Sequence, residues 1–412
     1  MKRLMSECKM KILYLTNGLP HYFNLVLSKL NSIPGLEVVV VIPTGPARHI
    51  GDGVFQSREG MAFRVVERKE YSAGRLFMSF EGLPALLFRE RPDVVVLPDY
   101  LVRAFFLHPA LSLARLIVGV KLVLKSIPFQ MPDYATAVRQ LSAAAPNDPS
   151  SRIKTKGTSA FERLLRRAAL EVRAYYFRKV DAHVNYVDAA RGLYSSYGVA
   201  PSRIFVTRNS PDTDAMARTE DVLKKLADPP TRVAQRFLHV GRLVSQKRVD
   251  LLLDAFFEVH QRLPRAELVI VGDGPERKNY EERAARLGIT SAVNFAGPIY
   301  DPIELGRHFL SASAFVLPGL GGLSINEAMF YGLAIVCSTG DGTEKYLVRE
   351  GQNGAFFRTG DKASLAEAMI GLISDPGALR SMGLRSREII DREVNIHTVI
   401  DGYMKAFRHV CS

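Results

Sequence analysis

Short runs of consecutive apolar residues alternate with longer amphipathic stretches along the whole chain. MKILYLTN (residues 10–17), LEVVVVIP, MAFRVVER, PDVVVLP and KLVLKS read as strands in the first half. NLVLSKLNSI, FEGLPALLFRE and the region 101–118 read as helices between them. In the second half RFLHV, AELVIV, VNFAG, AFVLP and LAIVCS are strand runs, with turn residues and helical stretches among them. Runs that are apolar on both faces belong to parallel sheets covered by helices, so the pattern predicts an α/β fold. Ligands of such sheets bind outside the carboxyl ends of the strands. That rule places the loops at 17–24, 98–101 and 126–134 around one binding edge.

The densest pattern is ASAFVLPGLGGLSINEAMFYGLAIVCSTGDGTEKYL, residues 312–347. It reads as strand, glycine-rich turn, helix, strand, turn. Glycines 319, 321 and 322 let backbone approach closely, since no side chain blocks it. Ser324 and Glu327 have the spacing of a capping box, which predicts a helix start at Ser324. Free amides at such a start suit an anion.

Composition narrows the partners. A chain of 412 residues suggests two or three domains. The formal charge of +13 points to an anionic partner. The basic residues are not interleaved with a recognised nucleic-acid module, so no nucleic-acid partner is expected. Cys8, Cys337 and Cys411 have no metal-site spacing, and a reducing compartment fits them. The first residues lack an apolar core with a small-residue cleavage site, so no signal peptide is expected. No uncharged apolar run reaches the ~20 residues that a membrane span needs. The nearest, 104–124, is broken by His108, Pro109, Arg115 and Lys121.

Residues 143–160, rich in small and breaker residues, read as a mobile loop. A basic helix follows. Between Arg152 and Lys179 nine Lys/Arg stand against two Glu, a net of +7 (9 − 2). Phe161, Leu164, Leu165, Ala168, Val172, Tyr175 and Tyr176 recur at helical spacing. Two readings stay open. One is an interfacial helix on anionic lipid. The other is a helix packed on the first domain with a solvated basic face.

GGLSINEAMFYGLAIV resembles the signature of the retaining glycosyltransferases of family 4, glycosyl transferases group 1. Gly322, Leu323, Glu327, Ala328, Met329, Gly332 and Val336 match it. The first of that family's two motif glutamates falls on Gly319. Gly241, Arg242 and Lys247 resemble the family's G-R-L-x-x-x-K-G, and Gly272 to Pro275 its G-x-G-P. Asp181, Gly198, Val199, Ile204, Val206, Asn209 and Asp212 keep the spacing found at the end of its first domain. The histidine that family members often carry after the strand KLVLKS is replaced by Ser126, Ile127 and Pro128.

The resemblance implies the GT-B fold, two Rossmann-like doubly wound parallel-sheet domains facing a cleft. Residues 1–212 would bind the acceptor and 213–395 the donor, and the helix 396–412 would cross back to the first domain. Arg242 and Lys247 would take the charge of the donor diphosphate, and Glu327 would hold the ribose hydroxyls. Backbone at Gly297, Pro298 and Ile299 would hold the base. Gly18, Gly272, Gly319, Gly322, Leu323, Ser324 and Glu344 would line the donor site. His21, in the first loop, is a candidate catalytic group, and Asp99 is another candidate near the binding edge. The implied activity is transfer of a hexosyl or deoxyhexosyl group from a nucleoside-diphosphate sugar, with retention, to a lipid-linked or cell-surface polysaccharide acceptor. No metal and no cofactor are implied. The implied location is cytoplasmic, peripheral on the inner face of the cell membrane. The alternatives are a nucleotide-sugar-binding protein without transferase activity and a GT-B nucleotide-sugar epimerase.

Overall fold

The structure is a computed structural model and describes residues 10–45, 58, 60–74, 76–126, 131–142, 160–340 and 342–412. Most of the loop expected at 143–160, and Ile127 and Pro128, lie outside these residues. The chain forms two compact units. Unit 1 is Met1–Arg208 with Ile400–Ser412, and unit 2 is Asn209–Val399. The divisions fall four residues from those expected at 212 and 395.

Unit 1 contains strands β1 (Met10–Leu15), β2 (Leu36–Pro43), β3 (Arg64–Arg68), β4 (Glu70–Ser72), β5 (Met78–Phe80), β6 (Val94–Leu97), β7 (Lys121–Lys125), β8 (Ala182–Asn185) and β9 (Ile204–Val206). Seven of them make one parallel sheet in the order β3-β2-β1-β6-β7-β8-β9. Val39, Val40 and Val41 and all of β6 are buried, as their unbroken apolar runs require in a sheet covered on both faces. β4 and β5 form a separate antiparallel hairpin that the apolar pattern did not announce.

Several boundaries differ from expectation. The first helix begins at His21, three residues early. The region 101–118 is three helices, Asp99–Val102, Ala104–Leu107 and Pro109–Val118, and the last is separate because Pro109 cannot continue the helix before it. The basic helix runs Ala160–Lys179. It buries Leu170, Ala174, Tyr176 and Phe177 against the core. Of the expected stripe only Tyr176 is buried, while Phe161, Leu164, Leu165, Val172 and Tyr175 face solvent.

Unit 2 contains β10 (Arg236–Val240), β11 (Glu267–Val271), β12 (Val293–Gly297), β13 (Ala314–Leu317), β14 (Ala334–Cys337) and β15 (Gly354–Phe356). All are parallel, in the order β12-β11-β10-β13-β14-β15. This is the doubly wound order, in which the sheet reverses direction between its first and fourth strands, here β10 and β13. Both units are thus Rossmann-like, the pair that makes the GT-B class. In unit 1 the same reversal falls between β1 and β6.

Candidate functional site

The reversal in unit 2 puts the loop after β10 beside the loop after β13. These loops carry Arg242, Lys247, Gly319, Gly322 and Leu323 of the expected donor residues. The first runs through Gly241, Arg242 and Leu243 into a 3-10 turn, Ser245–Lys247. It is clamped to its neighbours by backbone. Gly241 N–H donates to Val271 O (3.0 Å), Leu243 N–H to Asp273 O (2.9 Å), and Glu276 N–H to Leu243 O (3.0 Å). The turns fit this closely only because of glycine. A Cβ on Gly272, whose φ is +139°, would lie 1.9 Å from Gly241 O. One on Gly274 would lie 2.4 Å from Leu243 O. Gly297 accepts from Gly272 N–H at 2.8 Å and ends β12. Pro298 is exposed and Ile299 half-buried just beyond it.

Lys247 joins the two loops. Its buried side chain donates from Nζ to Leu320 O (2.9 Å) and Gly321 O (2.6 Å). Leu320 N–H in turn donates to Gln246 O at 2.9 Å. Gly319 lies against the same turn, where a Cβ would meet Gln246 O at 2.5 Å and the Lys247 carbonyl carbon at 2.8 Å. Backbone therefore fills the space that the family's first glutamate would need. A Cβ on Gly322 would lie 3.2 Å from Lys247 Nζ, so this ammonium sits directly under the glycine loop. Arg242 is half-buried on the same loop as Lys247.

The helix after the glycines is Ser324–Phe330. The capping box is a correction. Leu323 is the N-cap, and no side chain caps the helix. The Glu327 carboxyl instead makes no hydrogen bond or ion pair among the described residues, and burial pushes its pKa up to about 7. A carboxylate held this way is costly to ionise until donors arrive. Glu344 was expected to line the donor site. It is fully buried and accepts the N–H groups of Gly340 (3.2 Å) and Gly342 (3.1 Å). Added Cβ atoms on Gly321 and Gly340 would lie 2.7 and 2.8 Å from its Oε1. Glu344 thus braces the glycine loop through Gly340 and Gly342.

Sequence reading missed His239. It is fully buried in β10, and its Nδ1 bonds Val316 O at 2.9 Å. Burial first, and Lys247 nearby, lower its pKa to about 4, so the ring is neutral. Its Nε2 would lie 3.4 Å from a Cβ on Gly241 and has no hydrogen-bond partner among the described residues. A histidine inside the apolar run RFLHV was the available signal.

Gly18 and His21 belong to unit 1, where Gly18 is buried after β1 and accepts from Thr16 Oγ1 at 3.3 Å. His21 begins a helix, and its side chain lies outside the described residues. At the reversal between β1 and β6, the Tyr100 hydroxyl donates to Asn17 Oδ1. Asp99 and Tyr100 border a cavity of about 350 Å³. At the end of β7, Lys125 Nζ lies 3.4 Å from the centre of the Phe23 ring. Burial lowers its pKa to about 7. Ser126 touches the Tyr194 hydroxyl. Lys125 was legible only as a strand-end lysine. Among the described residues no group of three or more His, Cys, Asp or Glu is placed to hold a metal ion. No single described helix is long and apolar enough to cross a membrane.

Residues 231–389 match the family model for glycosyl transferases group 1, so this part of the chain belongs to the group its motifs resemble. A GDP-mannose-dependent alpha-(1-6)-phosphatidylinositol monomannoside mannosyltransferase from Mycolicibacterium smegmatis is 30% identical over 197 residues. That match covers 45% of this chain and 50% of the relative, so the chain spans about half of that relative's length. The lipopolysaccharide core biosynthesis glycosyltransferase LpsE of Rhizobium meliloti is 27% identical over 301 residues, 72% of this chain and 81% of LpsE. Among solved structures, Anabaena Alr3699/HepE in complex with UDP aligns with a TM-score of 0.65 and 17% identity. That alignment covers 96% of this chain and 98% of HepE, and it shows the fold alone.

Proposed function

We propose that this chain, with its glycosyl transferases group 1 segment, moves a sugar from a nucleoside-diphosphate sugar to an acceptor with retention of configuration. The observation that carries the reading is Lys247. Its ammonium is fixed on the carbonyls of Leu320 and Gly321, which places a cation at the point where the unit 2 sheet reverses. The diphosphate leaves with growing negative charge, and preorganised cations lower the barrier for it. Lys247 and Arg242 take that part, and Arg242 can grip phosphate oxygens in pairs. Glu327 accepts the ribose hydroxyls, and the backbone of Gly297 to Ile299 meets the base.

The bond from the anomeric carbon to the phosphate oxygen breaks. A bond to the acceptor oxygen forms on the same face, and the acceptor proton moves to the leaving phosphate oxygen. This step needs no protein base, which suits a chain with no histidine at the usual place after β7. It is proposed to run without a metal or cofactor. The acceptor is proposed to bind unit 1 and to be lipid-linked or a surface polysaccharide. The names of the mycobacterial and rhizobial relatives support that choice, as does the basic, apolar face of the helix Ala160–Lys179. The protein would then work in the cytoplasm against the inner face of the membrane.

A thermal-shift screen of nucleotide sugars with the full chain tests the donor. A ligand at a hundred times its Kd adds about 2.7 kcal/mol to the folded state. No shift with any nucleotide sugar overturns the reading. Turnover of the stabilising donor, with and without chelator, tests transfer and metal independence. One observation favours a second reading, a nucleotide-sugar-binding protein without transferase activity. Gly319 leaves no room for the carboxylate that family members place near the donor sugar. Donor binding with neither transfer nor hydrolysis would decide for it.

A further inference from the structure

The cavity in unit 1 is unlike the glycine-lined loops of unit 2. It is walled by the β4–β5 hairpin, the helix Asp99–Val102 and the helix Ala160–Lys179. Its volume, about 350 Å³, falls within the range of small-molecule sites. Two guanidinium groups, Arg103 and Arg173, line it with the carboxylate of Asp99. No salt bridge holds either arginine among the described residues, while Arg173 bonds Tyr197. Phe77 and Tyr176 supply apolar wall. Asp99 directly follows Pro98 at the carboxyl end of β6, beside the reversal of the sheet, where doubly wound folds place ligands.

Charge and rim together define the ligand. Two arginines and one aspartate sum to +1 (2 − 1). That matches the single charge of a phosphodiester better than a dianion. Guanidinium forks suit phosphate oxygens, and a carboxylate accepts from a hydroxyl. Leu76, which also lines the cavity, is 65% exposed. On the helix that carries Arg173 and Tyr176, the exposed apolar residues Val172 and Tyr175 are their immediate neighbours. A charged pocket beside exposed apolar side chains fits a ligand with a polar head and an apolar tail.

We propose that this cavity binds the phosphodiester headgroup of the acceptor, with Arg103 and Arg173 on the phosphate and Asp99 on a headgroup hydroxyl. The proposal rests on the transferase reading and supplies the acceptor's chemical class. The same chemistry could come from a lipid or from a water-soluble phosphodiester.

The test uses the full chain and vesicles of phosphatidylcholine with or without phosphatidylglycerol, sedimented at high salt to suppress diffuse attraction. Binding is expected only with phosphatidylglycerol. Arg103→Gln and Arg173→Gln are each expected to weaken it about tenfold or more, the worth of one charged hydrogen bond. Lys278→Gln, on the exposed surface of unit 2, should leave this salt-resistant binding unchanged. Deacylated glycerophosphoglycerol separates the sources. If it displaces the vesicles, the headgroup alone is read. If it does not while both glutamine variants still weaken binding, the acyl part is read too. Arg103→Lys, with a melting curve for each variant, keeps the test valid should a glutamine variant unfold. Wild-type binding in folded Arg103 and Arg173 variants, or no binding of either phosphodiester by the wild type, overturns the proposal. The nucleotide-sugar thermal shift, measured on the same variants, should persist. Its absence from the wild type would be a failure of the donor reading instead.

Discussion

The two sheets reverse direction in the same way and are built differently at that point. In unit 2 the space at the reversal is closed by backbone. Glycines 272, 274 and 319 each lie where a Cβ would strike another loop's main chain. In unit 1 the space is held open by side chains. Tyr100 reaches Asn17, and a cavity with two arginines lies beside Asp99. On the proposed reading, glycine packing in unit 2 fixes the loops that hold Arg242, Lys247 and Glu327 against the donor, whereas in unit 1 aromatic and charged side chains shape the space for the acceptor.

The largest effect should follow from removing the cation of unit 2. Lys247→Ala and Arg242→Ala are each expected to cut kcat/KM by about 100- to 1000-fold, on the order of 2–4 kcal/mol, as for loss of one preorganised donor. Lys247→Ala should also loosen the glycine loop, since two of its hydrogen bonds go there. A raised KM for Lys247→Ala, against a kcat-only effect for Arg242→Ala, would separate loop-holding from charge. Near-wild-type kinetics in both variants would remove the donor site from this loop.

Next in size is the closed packing itself. Gly319→Glu restores the family's residue in sequence but not in space. It should destabilise by about 1–3 kcal/mol in urea unfolding, the usual cost of overpacking against structure that cannot move. A variant as stable as wild type, with higher turnover, would mean that the loop opens and that the contrast between the units is not one of packing.

What the sequence made legible follows from the same contrast. The strands of both sheets were readable because residues buried on both faces leave unbroken apolar runs, as in VVVL of β6 and AFVL of β13. The loops of unit 2 were readable because their close backbone packing demands glycine at fixed places. The first unit's site was not. Its cavity needs the β4–β5 hairpin, short strands with mixed polarity, and a helix that begins more than sixty residues beyond β6, and no local pattern joins these. Asp99 was flagged from its strand end, yet Arg103 and Arg173 sit inside helical stretches where arginine is usually solvated. The capping box was misread because Ser324 and Glu327 have the right spacing, while the turn enters one residue earlier at Leu323. Glu344 was placed in the donor site by analogy, and the structure buries it against the glycine loop, beside Gly321 and Gly340.

A third test concerns protons in unit 2. Glu327 has a pKa of about 7, raised from 4.5 by burial. Its acid form therefore dominates below pH 7 in the free protein. Ribose hydroxyls donate to the ionised form, so binding below pH 7 must release a proton. Nucleotide affinity should rise with pH up to about 7, by at most about tenfold per pH unit, and level off above it. Stability without nucleotide runs the other way. It is full below pH 4.5 and falls as pH rises towards 7, because the folded state binds the extra proton. Calorimetry in two buffers of different ionisation enthalpy counts the proton. Glu327→Gln should abolish the slope, which also excludes Lys125, whose pKa is likewise about 7. A flat profile in the wild type would take Glu327 off the ribose.

The smallest effect expected is at the surface of unit 1. Along the helix Ala160–Lys179 everything from Phe161 to Ala169 is exposed, apolar and basic residues alike. Packing on a core explains Leu170, Ala174, Tyr176 and Phe177, but it does not explain Phe161, Leu164 and Leu165, more than half exposed each. An anionic bilayer would accept both kinds of side chain. The apolar residues enter the headgroup boundary and the arginines meet the lipid charge. Each basic residue there contributes about 1 kcal/mol, so Arg166→Gln should weaken binding to acidic vesicles about fivefold at low salt. The loss should shrink as salt is added, because screening removes the same attraction. Leu164→Ser should weaken binding at every salt concentration, since burial of apolar surface is not screened. If the serine variant sediments as wild type does, the helix reads charge alone, and unit 1 approaches the membrane without entering it.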